Sequence, residues 1–201
     1  MSAKKRVAVF VSGGGTNLQK LLDAQAEGVI RSGEIALVIS SKPGVYALER
    51  AEKAGLPAFA IDRKALGLAE FERRSLALIE EYSIDFMVTA GFLTIFSGDF
   101  TKRFPNRILN VHPALIPSFC GKGFYGLRVH RAALDYGVKI TGATVHFVNE
   151  ICDGGEIILQ KAVEVRPGDT PEALQRRVME EAEWLLLPQA LELVCAGSPR
   201  K

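Results

Sequence analysis

The segment Val7-Ala8-Val9-Phe10-Val11, broken off at once by Ser12-Gly13-Gly14-Gly15-Thr16-Asn17, constrains the fold more than any other stretch of the chain. A short unbroken apolar run rich in β-branched and aromatic residues reads as a strand covered on both faces, the mark of a parallel sheet. The glycine-rich turn ends it, and Leu18, Leu21, Leu22 and Ala26 follow at helical spacing. Residues 35–40 read as a second buried strand closed by Lys42-Pro43-Gly44, which completes a β-α-β unit. The alternation continues with a helix near 46–54, a strand near 57–61, an amphipathic helix from about 69 to 82, and strands at 86–89 and 107–111. This pattern predicts an α/β fold: one Rossmann-like, doubly wound domain with a mostly parallel central sheet, right-handed crossovers and flanking helices.

The character changes after Pro113. Residues 114–128 hold one proline and three glycines and predict a loop over the carboxyl ends of the strands, where open α/β sheets bind their ligands. A short helix at 129–136 leads to two strand-like runs, 141–148 and 156–165, joined by residues 149–155 as a hairpin, so the sheet is partly mixed. Thr170-Pro171-Glu172-Ala173 is a helix start, and the leucine-rich stretch to Val194 is expected to bend or break at Pro188.

With 201 residues, 48% of them hydrophobic, and no linker or repeat, the chain is read as a single domain spanning 1–201, its two halves meeting near residue 105. The net charge of +2 comes from interspersed acids and bases, which argues against a nucleic-acid surface or a polybasic membrane anchor. Cys120, Cys152 and Cys195 form no CxxC pair, so neither a disulfide framework nor a structural metal is expected, and a reducing cytoplasm fits. The basic start Met1-Ser2-Ala3-Lys4-Lys5-Arg6 precedes an apolar run too short for a signal peptide, and no segment is long enough to span a bilayer.

Two clusters carry chemistry. The glycine turn lies between a strand and a helix, where backbone N–H groups and the helix dipole favour a phosphate. Leu18 stands where a dinucleotide fingerprint needs glycine, and the Walker lysine is missing, so a phosphomonoester suits it best. The alternative is a tight turn whose glycines serve only φ and packing. The second cluster is Asn110-Val111-His112-Pro113 with Asp153-Gly154-Gly155. An amide and an imidazolium can donate to the oxyanion of a tetrahedral intermediate, while a carboxylate holds the imidazole charged and accepts a proton through water. Those groups suit acyl transfer without a covalent enzyme intermediate. Each also has a plain structural use: Asn110 as a turn former, His112 as a strand cap, Asp153 as an Asp-Gly hairpin turn.

The motifs SGGGTNL (12–18), AGFLTIFS (90–97), ILNVHPALIPSF (108–119), GATVHFV (142–148) and DGGEIILQ (153–160) together resemble the phosphoribosylglycinamide formyltransferase family of folate-dependent enzymes, nearly end to end. The resemblance implies transfer of a formyl group from 10-formyltetrahydrofolate, a cosubstrate, to the amine of glycinamide ribonucleotide in purine synthesis, with no metal. By it, Asn110, His112 and Asp153 are catalytic. Gly14, Gly15, Thr16 and Asn17 hold the substrate phosphate, and Glu183 binds the ribose, with Glu180 and Glu181 as rivals because the helix holds one extra residue between Arg177 and Pro188. The folate lies between Leu93, Thr94, Ile95, Phe96 and the loop residues Asn149, Glu150, Ile151 and Cys152. Thr94 stands where many members have arginine, and the loop at 118–128 is the longer GKGMYG form, with Phe124 in the methionine position and Arg128 where a second histidine often occurs. The implied partners are these two small molecules, with no nucleic acid or membrane, and the chain is a monomer or homodimer. The rivals are a formyltetrahydrofolate hydrolase, a methionyl-tRNA formyltransferase, both expected to carry a further domain, and a non-catalytic binding protein on the same fold.

Overall fold

A computed structural model describes residues 3–197 and arranges seven strands in one sheet of order β3-β2-β1-β4-β5-β6-β7. Met1, Ser2 and residues 198–201, counted in the single-domain expectation, lie outside the described residues. In chain order the elements are β1 (Lys5–Val11), α1 (Thr16–Ala26), β2 (Gly33–Ser40), α2 (Tyr46–Lys53), β3 (Ala58–Ala60), α3 (Arg63–Glu81), β4 (Phe86–Thr89), α4 (Gly98–Lys102), β5 (Ile108–His112), α5 (Leu127–Tyr136), β6 (Ile140–Phe147), β7 (Ile157–Glu164), α6 (Pro171–Val178) and α7 (Trp184–Cys195), with a π turn (Met179–Glu183) between the last two helices. Strands β1 to β5 pair in parallel, and β6 and β7 are antiparallel, so the sheet is mixed on its C-terminal side as expected.

Strand β1 feeds two cores because successive side chains point to opposite faces. Val7, Val9 and Val11 pack with α1 and the C-terminal helices, whereas Ala8 and Phe10 pack with α3 and α4. The second core is dominated by phenylalanines: Phe10 meets Phe96 edge-on at 5.2 Å, and Phe96 stacks on Phe100 at 4.3 Å. Such pairs add about 1 kcal/mol each beyond simple burial, and they fix the segment that carries Leu93 to Phe96 over the end of β4.

Three helices differ from expectation. Helix α3 begins at Arg63 because Asp62 Oδ1 accepts the N–H groups of Lys64 and Ala65 at 2.9 and 3.2 Å, and its first turn is separated by Gly67, whose φ of 80° is not helical. Helix α4 has only five residues, too few to show a period, and is started by Ser97 capping Phe100. Helix α7 runs through Pro188 without a break. The backbone instead widens into the π turn just upstream, which takes up the extra residue. Among the described residues no helix is long and apolar enough to cross a membrane.

The β6–β7 pair tolerates no side chain at Gly142. A Cβ there would overlap the Lys161 carbonyl oxygen and come within 2.8 Å of Leu115 Cδ2. Since the carbonyl belongs to the ladder opposite, Gly142→Ala is expected to lower the unfolding free energy by about 2 kcal/mol or more in urea titration. A change under about 0.5 kcal/mol would show that the two strands separate freely.

Candidate active site

Strand order reverses between β1 and β4, and the crevice above that switch point carries the chemical groups. A cavity of about 690 Å³ opens there, lined by the ends of β4 and β5, the start of α1, residues 91–96, the 121–126 loop, the β6–β7 connection and the π turn. Volumes of this order hold small-molecule substrates.

Asn110 is clamped. Its Oδ1 accepts a hydrogen bond from the Thr89 hydroxyl at 2.7 Å, and its Nδ2 lies 3.2 Å from His146 Nε2. His146 Nδ1 sits 2.8 Å from the Phe147 carbonyl, which only accepts, so Nδ1 carries a hydrogen, and the Thr89 hydroxyl on Oδ1 turns the Asn110 amide nitrogen towards Nε2. That fixes the amide orientation and leaves its second N–H for a ligand. His112 is buried, and its Nε2 donates to the Phe119 carbonyl at 2.8 Å. Its Nδ1 faces Asp153 Oδ2 at 3.6 Å, and the other Asp153 oxygen lies 3.6 Å from His146 Nε2. The three expected residues therefore converge.

Asp153 occupies a left-handed turn position, φ 55°, so the hairpin-turn use and the site use coexist. Gly121 N–H donates to its Oδ2 at 2.8 Å. Burial alone would raise this carboxyl, but His146, the Gly121 N–H and His112 outweigh burial and hold it below its ordinary value. For His112 the balance is reversed. Burial pushes its imidazole below the ordinary value and outweighs Asp153 and the Phe119 carbonyl, which pull upward. The expectation that Asp153 keeps His112 charged is thus corrected for the ligand-free site, because desolvation of the cation exceeds its attraction to a carboxylate 3.6 Å away.

The glycine turn divides its labour. Gly15 is required by the fold itself, since its φ is 71° and a Cβ would fall 2.7 Å from Ala47 Cβ. Gly13 and Gly14 would place a Cβ in open space, with nothing within 4 Å. Thr16 and Asn17 line the cavity, and Gly14 and Gly15 lie outside its lining. Helix α1 starts without any side-chain cap, which leaves its first N–H groups for an outside acceptor. Asn17 Nδ2 donates to Glu183 Oε2 at 3.0 Å, while Asn17 Oδ1 is buried with no partner. Glu183 is buried at the cavity wall, and burial raises its carboxyl despite the Asn17 hydrogen bond. Glu180 and Glu181 are exposed, and Glu181 faces Arg166 at 3.7 Å. The π turn therefore aims Glu183, not its rivals, into the site.

On the other side Leu93, Thr94, Ile95 and Phe96 face Asn149, Ile151 and Cys152 across the cavity. Glu150 does not line it. It turns to the back of the loop, beside Lys102 and Asn106, because its neighbours on either side point inward. The Cys120 and Cys152 thiols are both pushed up, by burial and then by Asp153, and are poor nucleophiles as a result. Among the described residues no group of three His, Cys, Asp or Glu side chains is disposed to hold a metal ion. Thr89, His146, Gln175 and Met179 line the cavity without having been singled out as site residues. For His146 the signal was a histidine inside an alternating strand, which only the pairing partner can interpret.

Residues 5–191 match the formyl transferase family model. The chain belongs to the formyl transferase family. It is 45% identical over 196 residues to the trifunctional purine biosynthetic protein adenosine-3 of Gallus gallus, covering 97% of this chain and 19% of that protein. It is 38% identical over 196 residues to the chloroplastic phosphoribosylglycinamide formyltransferase of Arabidopsis thaliana, covering 96% of this chain and 66% of that one. The chain thus spans about a fifth of the animal relatives' length and about two thirds of the plant relative's. The crystal structure of glycinamide ribonucleotide transformylase 1 from Symbiobacterium toebii is 42% identical, with a TM-score of 0.89 over 96% of this chain and 89% of that one. Phosphoribosylglycinamide formyltransferase from Brucella melitensis is 40% identical, with a TM-score of 0.86 over 97% of both chains.

One buried group of this formyl transferase lies next to the site without a hydrogen bond. His130 on α5 is 1% exposed, and neither ring nitrogen has a partner. Burial, with some help from His112, pushes its pKa down to about 4. The unfolded chain binds that proton near 6.5, so stability falls as pH drops from about 6.5 towards 4, by up to about 3 kcal/mol from this group. His130→Leu should remove that part of the acid slope in urea unfolding measured between pH 7.5 and 4.5. An unchanged slope would mean that His130 titrates normally.

Proposed function

We propose that this chain transfers the formyl group of 10-formyltetrahydrofolate to the amine of glycinamide ribonucleotide in purine synthesis, by direct attack and in the cytoplasm. The observation that carries the reading is the convergence of Asn110, His112 and Asp153 at the centre of one cavity with chemically distinct ends. One end holds the bare helix start, Asn17 and Glu183, groups suited to a phosphate and a ribose. Asn17 Oδ1 and the Glu183 carboxylate are acceptors that sugar hydroxyls would satisfy. The other end is apolar, with Leu93, Ile95 and Ile151 more than half exposed around it, which suits a flat heterocycle.

The chain's residues then act in order. The phosphate and ribose contacts hold the amine against the formyl carbon, so binding far from the reacting atoms sets the attack geometry. As the new N–C bond forms, charge moves onto the formyl oxygen, and the unoccupied Asn110 N–H donates to it. Neutral His112 offers the Nδ1 lone pair beside Asp153, so the proton shed by the amine has a destination between two acceptors. Protonated there, His112 becomes a cation that stabilises the oxyanion and returns the proton to the departing folate nitrogen as the old C–N bond breaks. A well-placed donor to an oxyanion contributes about 3 kcal/mol.

The test is formyl-folate consumption followed by absorbance with glycinamide ribonucleotide, with water alone, and with an amine lacking the phosphate. Consumption is expected only with the ribonucleotide at full rate, and a comparable rate without any acceptor would make the chain a hydrolase. Asp153→Asn keeps size and the Gly121 contact, and turnover is expected to fall roughly 100-fold while ribonucleotide affinity holds. Near-normal turnover of the purified variant would leave Asp153 only its turn.

A further inference from the structure

Both substrates in the proposed reaction are anions, yet the cavity wall carries a single cation. Lys122 is the only lysine or arginine among the described residues that line it, alongside the acidic Asp153 and Glu183. No hydrogen bond or ion pair ties Lys122 to another described residue. The cations close to the glycine turn already have partners within the protein. Arg50 Nε donates to the Gly14 carbonyl and Nη1 to Gln19 Oε1, both at 2.9 Å, with its guanidinium over Tyr46 at 4.8 Å. Lys20 faces Asp23 at 3.7 Å and lies over Trp184.

The setting of Lys122 is built. Gly121 and Gly123 flank it at φ 91° and 98°, a backbone conformation that residues with side chains rarely adopt. The loop is anchored at the catalytic centre by the Gly121 N–H on Asp153 and the Phe119 carbonyl on His112. It then enters α5, which packs against α6. That helix and the π turn after it bring Gln175, Met179 and Glu183 to the cavity end that Asn17 shares. The loop therefore spans from the catalytic centre at Asp153 towards the wall that α6 and the π turn supply at the ribonucleotide end.

We propose that Lys122 binds the phosphate monoester of the acceptor substrate, an assignment that rests on the function proposed above. Backbone N–H groups and a helix dipole amount to about half a positive charge. A phosphate dianion leaving water for this cavity needs a full one, and Lys122 is free to provide it.

Calorimetry on wild type, Lys122→Gln and Lys122→Arg tests this, with glycinamide ribonucleotide, its dephosphorylated ribonucleoside and a glutamate-bearing folate analogue as ligands. Lys122→Gln should weaken the ribonucleotide roughly 10-fold or more and flatten its salt dependence, since a charge-assisted contact is lost. Ribonucleoside and folate affinities should stay within about twofold, and Lys122→Arg should recover most of the loss. Unchanged ribonucleotide affinity, equal loss for ribonucleotide and ribonucleoside, or a loss confined to the folate analogue would each overturn the assignment. A wild-type enzyme that binds and turns over the ribonucleotide while Lys122→Gln loses nothing overturns only Lys122. Failure of the wild type to bind the ribonucleotide overturns the proposed function, and this inference with it.

Discussion

The antiparallel pairing of β5 with β6 is the constraint on which the site depends. Its register sets Asn110 opposite His146 and His112 opposite Thr144. Residues directly opposite on neighbouring strands share a face, so His146 reaches the Asn110 amide, and Thr144, two residues along on the same face, donates to the Ala114 carbonyl and accepts from Ile116 N–H. One pairing thus orients the catalytic amide and pins the start of the loop above it. A slip of one residue would turn every one of these groups to the wrong face.

The same pairing delivers Asp153. Strand β6 runs out of the sheet beside β5, and the connection to β7 must turn back over the strand ends, where Gly155 fits only because it lacks a Cβ against the Phe147 carbonyl. The carboxylate so delivered is kept ionised by neighbours that burial cannot overcome, while His112 next to it is kept neutral by burial. His112 Nδ1 and Asp153 Oδ2 face one another 3.6 Å apart as two acceptors, which leaves a place for a proton to be taken up during the reaction.

The nucleotide end is closed by a contact between residues far apart in sequence, Asn17 at the start of α1 and Glu183 at the end of the π turn. A regular helix through residues 179–183 would turn the following residue by a different angle, so the wide turn is what sets the direction of Glu183. π turns are scarce because they leave a looser ladder, and they concentrate where a side chain must be aimed.

By itself the sequence determined the parallel β-α alternation, the mixed C-terminal strands, the placing of Asn110 and His112 at a strand end, and the glycine turn before α1. Those follow from local physics: period, β-branching, turn residues and caps act within a few positions. Only the tertiary structure decided which of the clustered glutamates enters the site, that Gly15 serves α2 packing while Gly14 faces outward, that His146 and Thr89 hold the Asn110 amide, and that Glu150 points away from the cavity. It also decided the protonation of His112, because burial, which lowers its affinity for a proton, is a property of everything packed around it. Register, desolvation and the aim of a π turn depend on partners tens of residues away, and no local pattern in the chain encodes their position.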